Sequence, residues 1–201
     1  MNRAFVFIGG FVALVVLALL AIAGRYNQLV ALDQAVQSQW GQVENAYQRR
    51  ADLVPNLVET VKGSANFEKN TYIAVAQARA KVGQVSLSAS NLPNDAAAFS
   101  KFAQAQDGLS SALSRLLVVS ENYPDLKASE NFRDLQAQLE GTENRITVER
   151  MRYNEAAQTF NTTRDSFPTV IVAGFFGTRF NEKAYFNAQP GAQTAPQVKF
   201  T

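Results

Sequence analysis

The chain has 201 residues, of which 47% are hydrophobic and 18% charged, and its formal net charge at pH 7 is +2. Neither histidine nor cysteine occurs, which excludes disulfides, histidine-dependent serine or cysteine catalysis, and zinc, haem or iron–sulfur sites with their usual ligands. The 19 basic and 17 acidic residues leave no electrostatic footprint for nucleic acid. We therefore expect one domain with no cofactor and no nucleic-acid partner.

The first feature along the chain is an apolar segment. Residues 4–24 carry no charged or polar side chain, and Arg3 and Arg25 bracket them. As a helix they span roughly 30 Å, the thickness of the hydrocarbon core of a bilayer. The sequence therefore predicts a transmembrane anchor over residues 1–25 that contacts the lipid bilayer through residues 4–24. A cleaved signal peptide is the alternative, because Ala21-Ile22-Ala23 matches the small-residue cleavage pattern.

Apolar residues recur with helical spacing almost throughout the rest of the chain. One heptad position holds Phe132, Leu139, Ile146, Tyr153, Phe160 and Phe167. This repeat predicts a long helix that begins near Asp125 and ends before Pro168. Three further helices are predicted over residues 26–47, 54–82 and 94–123, with Pro55 as either a break or a kink. Residues 83–94 are the clearest loop.

Four amphipathic helices with short connections predict an all-α fold: an N-terminal transmembrane helix followed by an antiparallel long-helix (four-helix) bundle. The bundle domain covers residues 26–186, and residues 187–201 form a C-terminal tail. Because four antiparallel passes return the chain to its origin, the apolar stretch 167–177 should lie near the membrane. We expect it to pack against the base of the bundle or to dip into the membrane interface. The alternative is a plain hydrophobic segment that lies over the core. Tyr26 and Tyr153, each within an Arg-Tyr-Asn triplet, are expected to fill that same end.

Charged residues at positions where apolar residues belong are the candidates for chemistry. Four occupy seam positions of the helices, three cluster at the boundary near Pro55, and one precedes a Tyr-Pro turn. In chain order they are Asp33, Arg49, Arg50, Asp52, Glu68, Arg79, Glu121 and Glu149. We interpret them as a structural network of buried ion pairs and hydrogen bonds that fixes helix register. The alternative is a hard-cation site with oxygen ligands from Glu68, Glu121, Glu143 and Glu149.

Several sequence blocks resemble the LemA family. They are Arg25-Tyr26-Asn27-Gln28-Leu29-Val30, Trp40, Gln48 to Gly63 with its Arg-Arg-Ala-Asp-Leu-Val-Pro-Asn-Leu core, Glu121 to Lys127, and Arg152-Tyr153-Asn154. The C-terminal stretch, from Lys183-Ala184-Tyr185-Phe186 to Pro196-Gln197-Val198-Lys199-Phe200, is similar to the C-terminus of the family. The resemblance covers essentially the whole chain. It implies an N-terminally anchored bacterial envelope protein with a long-helix bundle and no established enzymatic activity. Some relatives carry a lipoprotein-type cysteine before the Tyr-Asn pair, where this chain has Gly24-Arg25.

The expected function is that of a membrane-anchored interaction or scaffold protein of the bacterial envelope, without catalytic activity. The resemblance implies a single pass through the inner (cell) membrane with the bundle outside the cytoplasm, in the periplasm or at the cell exterior, whereas charge alone leaves the orientation undecided. The expected partner is another envelope protein or a second copy of the chain. A ligand- or ion-responsive sensor subunit that uses the seam carboxylates is the alternative.

Overall fold

The computed structural model describes residues 3–64, 67–87 and 92–187, and this part of the chain is all-α, without strands. Its helices are α1 (Arg3–Lys62), α2 (Lys69–Leu87), α3 (Ala96–Ser120), α4 (Pro124–Ala128), α5 (Glu130–Asp165) and α6 (Thr169–Phe175), with 3-10 turns at Leu92–Asn94 and Gly177–Phe180. The predicted all-α class is confirmed. Of the predicted loop 83–94, residues 83–87 belong to α2 and residues 88–91 lie outside the described residues. The predicted tail also lies outside them, except for its first residue, Asn187.

Helix α1 is 60 residues long and continues through Pro55. The predicted second helix therefore does not begin at residue 54; the turn lies after Lys62, where the amide of Gly63 donates to Glu59 O (3.1 Å). A proline inside a helix leaves one carbonyl without its usual donor. At Pro55 that carbonyl belongs to Ala51, and a side chain from α2 supplies the missing hydrogen bond, as described below.

The start of the long helix α5 also differs from the prediction. Pro124 begins the separate short helix α4, and α5 starts only at Glu130. Ser129 separates the two helices with an extended backbone, and its hydroxyl accepts from the amide of Phe132 (3.3 Å). Serine favours such N-cap positions because its side chain satisfies an amide that the helix leaves free.

Contacts between helices give their relative directions. Tyr47 and Arg50 of α1 contact Arg150 and Glu143 of α5, so these two helices run antiparallel. Trp40 packs on Phe99 of α3 and Arg50 bonds to Gln106 further along α3, so α1 and α3 run parallel. Lys62 lies over Tyr72 and Arg79 reaches Ala51, so α2 returns antiparallel to α1. These directions agree with the predicted four-helix bundle, which stays a prediction.

The buried side chains form two clusters. The proximal core, nearer the apolar segment, is rich in aromatic residues, among them Trp40, Phe99, Tyr153, Phe160, Phe180 and Phe186. The distal core is mainly aliphatic and includes Val54, Leu57, Val61, Leu109, Leu113, Leu116 and Leu139. Five members of the predicted heptad repeat of α5 are buried, but the prediction was wrong for Phe167, which is exposed because α5 ends at Asp165.

Candidate functional site: buried polar networks and the membrane segment

The eight predicted network residues do not form a single network. Arg50 and Glu149 are buried, Asp33 is half-buried, and five are exposed, namely Arg49, Asp52, Glu68, Arg79 and Glu121. The structure brings Arg50 and Asp33 into two separate buried networks, each completed by residues that the sequence pattern does not single out.

The first network surrounds Arg50 between α1, α3 and α5. Its side chain is only 1% exposed and forms a 2.8 Å ion pair with Glu143. The guanidinium also donates to the side chains of Ser110 and Gln106 and to the Gln106 carbonyl at 3.2 Å. One buried cation thus connects three helices, and removing it would leave several polar groups without their partner.

A second arginine extends this network toward the proximal core. Arg150 of α5 donates to the hydroxyl of Tyr47 and pairs with Asp107 at 2.8 Å. Burial raises the pKa of Tyr47, and the positive charges of Arg150 and Arg50 oppose part of that rise. The phenol therefore stays protonated at neutral pH and acts as a hydrogen-bonding link between α1 and α5.

The second network surrounds Lys183, whose side chain is fully buried. Its ammonium donates to the carboxylate of Asp33 and to the side-chain oxygen of Asn94. The centroid of the Phe160 ring lies 4.5 Å from the same nitrogen. A buried ammonium is costly unless it is paired, and here a carboxylate, an amide and an aromatic face surround it. Lys183 is an isolated basic residue outside any helical repeat, so no periodic signal could have found it.

Lys183 belongs to an extended segment, residues 181–186, which we call the strap. The side-chain amide of Asn161 donates to the Lys183 carbonyl (2.9 Å) and accepts from its amide (2.8 Å). Asn154 forms the same pair of bonds with Phe186, both at 2.9 Å. The two asparagines are two helical turns apart, about 10.5 Å, and three extended residues cover about 10 Å, so the spacings match.

The strap also corrects the expectation for Tyr153. Its hydroxyl donates to the Ala184 carbonyl (2.9 Å), and its ring packs against Trp40 and Phe186. It therefore lies within the proximal core, well along α1 from the apolar segment. Burial raises its pKa above the usual value of 10.0. Tyr26, by contrast, does lie at the end near the apolar segment, packed on Phe176 and Phe180.

Arg79 compensates for the proline inside α1. Its Nε donates to the carbonyl of Ala51 at 3.0 Å. Ala51 precedes Pro55 by four residues, so this is the carbonyl that a helix would normally bond to the amide hydrogen that proline lacks. The exposed Arg79 thus joins α2 to α1 at the point where Pro55 interrupts the backbone hydrogen bonds of α1.

The four carboxylates of the cation alternative do not converge. Glu143 pairs with Arg50, and Glu149 lies near Arg152 (3.3 Å) and Arg145 (3.9 Å) on its own helix. Among the described residues, no group of three or more acidic side chains is placed to hold a metal ion. One oxygen of Glu149 is buried without a hydrogen-bond partner.

An open cavity of about 560 Å³ lies at the distal end of the domain. It is lined by the end of α1 and the turn after it, including Glu59 and Gly63, and by the α3–α4 turn and the start of α4, including Asn122 and Asp125. We call it the distal cavity. Its lining is mostly polar, with Tyr123, Pro124 and Leu126 as the apolar part, and unlike the tightly packed networks it is open to solvent.

Residues 7–24 form the exposed apolar part of α1. Within the described residues, one helix is long and apolar enough to cross a membrane, judged by length and composition, and it is the one that begins with this segment. The side chains of Phe7, Phe11 and Leu17 are all more than two-thirds exposed. The same helix then supplies Trp40 and Leu57 to the two cores without interruption.

Over the residues that the structure describes, these features define a class: an all-α protein with one candidate membrane span that continues directly into its folded domain. The model of the LemA family matches residues 39–200, and the chain belongs to that family.

Named relatives cover most of the chain. It is similar to the magnetosome protein MamQ 2 of Paramagnetospirillum magneticum (26% identity, 90% of this chain and 74% of the relative) and to MamQ of Magnetospirillum gryphiswaldense (26%, 87% and 70%). It is also similar to the protein LemA of Metamycoplasma hominis (27%, 84% and 73%).

Proposed function

We propose that this chain is a membrane-anchored interaction protein of the bacterial envelope, without catalytic activity. In this proposal residues 1–25 anchor it as a single pass in the inner membrane, and residues 26–186 form a domain in the periplasm. Its partner is another envelope protein or a second copy of the chain. The similarity to magnetosome proteins supports a role as a component of an assembly.

The observation that carries the proposal is the continuity of α1 from Arg3 to Lys62. A flexible linker would let the domain rotate freely about its anchor, whereas one helix fixes the direction in which the domain projects. From Arg25 to Lys62 the helix rises about 55 Å at 1.5 Å per residue. The distal cavity is therefore held far from the bilayer surface, in a position suited to a protein partner.

A cysteine introduced into this cysteine-free chain tests anchor and orientation together. Asn122→Cys places one thiol at the exposed rim of the distal cavity. We expect a membrane-impermeant maleimide to label it in intact spheroplasts, on a band of full length. Labelling of a band shortened by residues 1–23 would show that the anchor is cleaved. Labelling only after lysis would place the domain in the cytoplasm.

The same variant tests the interaction itself. A photoactivatable benzophenone attached at residue 122 should form a discrete adduct with one envelope protein or with a second copy in spheroplasts. Lys101→Cys, at an exposed site near the start of α3 and far from the cavity, is the matched control. An adduct of equal yield from both positions, or from neither, would contradict docking at the distal cavity.

A further inference from the structure

Helix α6 lies beside the point where α1 leaves the apolar segment. Phe176, which follows α6, packs on Tyr26 with ring centroids 4.7 Å apart, and Phe180 packs on the same ring at 5.5 Å. Tyr26 is two residues beyond Gly24, the last apolar residue of the segment, which corresponds to a rise of about 3 Å. If residues 4–24 span a bilayer, α6 is at the depth of the lipid headgroups.

The two faces of α6 have different surroundings. Thr169, Val172 and Ala173 are buried against the domain. Facing outward are Phe167 (81% exposed), Ile171 (64%) and Phe175 (85%), with Val170 beside them. We call these four residues the outer patch. The only other large apolar side chains beyond residue 25 that are described as exposed, apart from Phe176, are the separate Val118, Val148 and Met151.

We propose that the outer patch inserts into the headgroup region of the bilayer that α1 crosses, so that the domain contacts the lipid surface at a second place. This inference rests on the proposed anchor. Interfacial helices bury their apolar face about 5–10 Å into the headgroup and acyl boundary, and aromatic side chains favour this depth. The patch combines both properties within the short helix α6 and Phe167, two positions before it.

A lipid surface fits this patch because of its place in the chain. Any bilayer crossed by α1 must surround the helix at the level of Gly24, next to α6, so another protein could cover the patch only by displacing lipid. The nearby exposed cations Arg25 and Arg179 suit anionic headgroups. Asp165 carries a negative charge at this end but is paired with Arg164.

Depth-dependent fluorescence quenching of the full chain in phosphatidylcholine–phosphatidylglycerol vesicles tests the proposal. Three single-cysteine variants carry the same polarity-sensitive fluorophore: Leu14→Cys in the apolar segment, Ile171→Cys in the outer patch, and Val118→Cys as an exposed apolar control. We expect the label at 171 to be quenched most by a lipid nitroxide near the headgroup. The label at 14 should be quenched most by a nitroxide deep in the acyl chain, and the label at 118 by neither.

The outcomes separate the two proposals. If the label at 14 escapes quenching, the anchor is wrong. If the label at 14 is quenched and that at 171 is not, the anchor stands and the lipid contact of α6 is wrong. Self-quenching of the label at 171 without quenching by lipid would assign the patch to a second copy, which also overturns the inference.

A charge placed in the patch provides an independent check. Phe175→Asp should remove most of the lipid quenching measured at residue 171, because an exposed phenyl ring is replaced by a carboxylate that resists insertion. Val118→Asp introduces the same charge at an exposed apolar site elsewhere and should leave the quenching at residue 171 unchanged. Equal quenching in Phe175→Asp and the unsubstituted patch would contradict the inference. Circular dichroism melting confirms that each variant is folded.

Discussion

The proximal and distal cores are closed in different ways. The distal core is built mainly from helices, with Leu57 of α1, Leu109 of α3 and Leu139 of α5 in one cluster, and Phe67 of the α1–α2 turn is its buried member outside a helix. The proximal core needs the non-helical strap, whose Phe186 packs on Trp40 and Phe99. Helical periodicity therefore specifies one half of the domain, whereas the other half depends on bonds between residues far apart in the chain, such as Lys183 and Asp33.

Alkaline pH should weaken the proximal core most. Burial raises the pKa of Tyr153 and of Tyr47 above the usual 10.0. The unfolded chain therefore releases these protons at lower pH than the folded chain, and stability present below pH 10 is lost as the pH rises through the folded pKa values. We expect the urea midpoint to fall steeply above that pH, with less decline in Tyr153→Phe. The control Tyr72→Phe, near the distal end, should retain the full decline.

Arg50→Met tests the junction between the two cores. It removes the cation that joins α1 to α3 and α5, and we expect a loss of about 3 kcal/mol in the free energy of unfolding. Glu143 is half-exposed, and water can hydrate it in part, which limits the cost. The neighbouring exposed Arg49→Met should stay within about 0.5 kcal/mol. Equal effects of the two substitutions in urea unfolding would show that the buried network contributes nothing specific.

Asn161→Ala should loosen the strap and leave the distal core intact. The substitution leaves the amide and carbonyl of Lys183 without partners, at a cost of about 2 kcal/mol. Hydrogen exchange should accelerate at the Lys183 amide while the amides around Leu113 keep their protection. Asn144→Ala, at an exposed site on the same helix, is the control. Faster exchange in both regions together would mean that the two cores unfold as one unit.

The smallest expected effect concerns Arg79 and Pro55. Arg79→Ala should cost about 1 kcal/mol, since the Ala51 carbonyl loses its donor. In a Pro55→Ala background the backbone amide of residue 55 can supply that hydrogen bond, so Arg79→Ala should then cost much less. A double-mutant cycle measures this coupling. If the effects of Arg79→Ala and Pro55→Ala on the free energy of unfolding are additive, the hydrogen bond from Arg79 does not replace the one that Pro55 removes.

These differences explain what could be predicted. The heptad repeat found the buried face of α5 from Phe132 to Phe160, because each residue of the repeat faces the same side of one helix. The sequence could not decide whether Pro55 breaks or kinks the helix, because the donor that bonds to the free Ala51 carbonyl, Arg79, lies on another helix. Lys183 could not be found, since its partners are set by the path of an extended segment. The cap of α3 depends on local sequence alone, since Asp95 accepts from the amides of Ala97 (3.0 Å) and Ala98 (2.9 Å) within its own first turn.

Because α1 is continuous from the apolar segment to Lys62, any change in the tilt of that segment also moves the distal end of the helix. Membrane-spanning helices change their tilt when the thickness of the bilayer changes. Over an arm of about 55 Å, a change in tilt of about 10° moves the far end sideways by about 10 Å. A bend at Pro55 would absorb part of that displacement before it reached the distal cavity. If residues 4–24 span a bilayer, as proposed, the hydrogen bond from Arg79 keeps α1 continuous at Pro55, and a change in the surrounding lipid would move the distal cavity relative to the membrane.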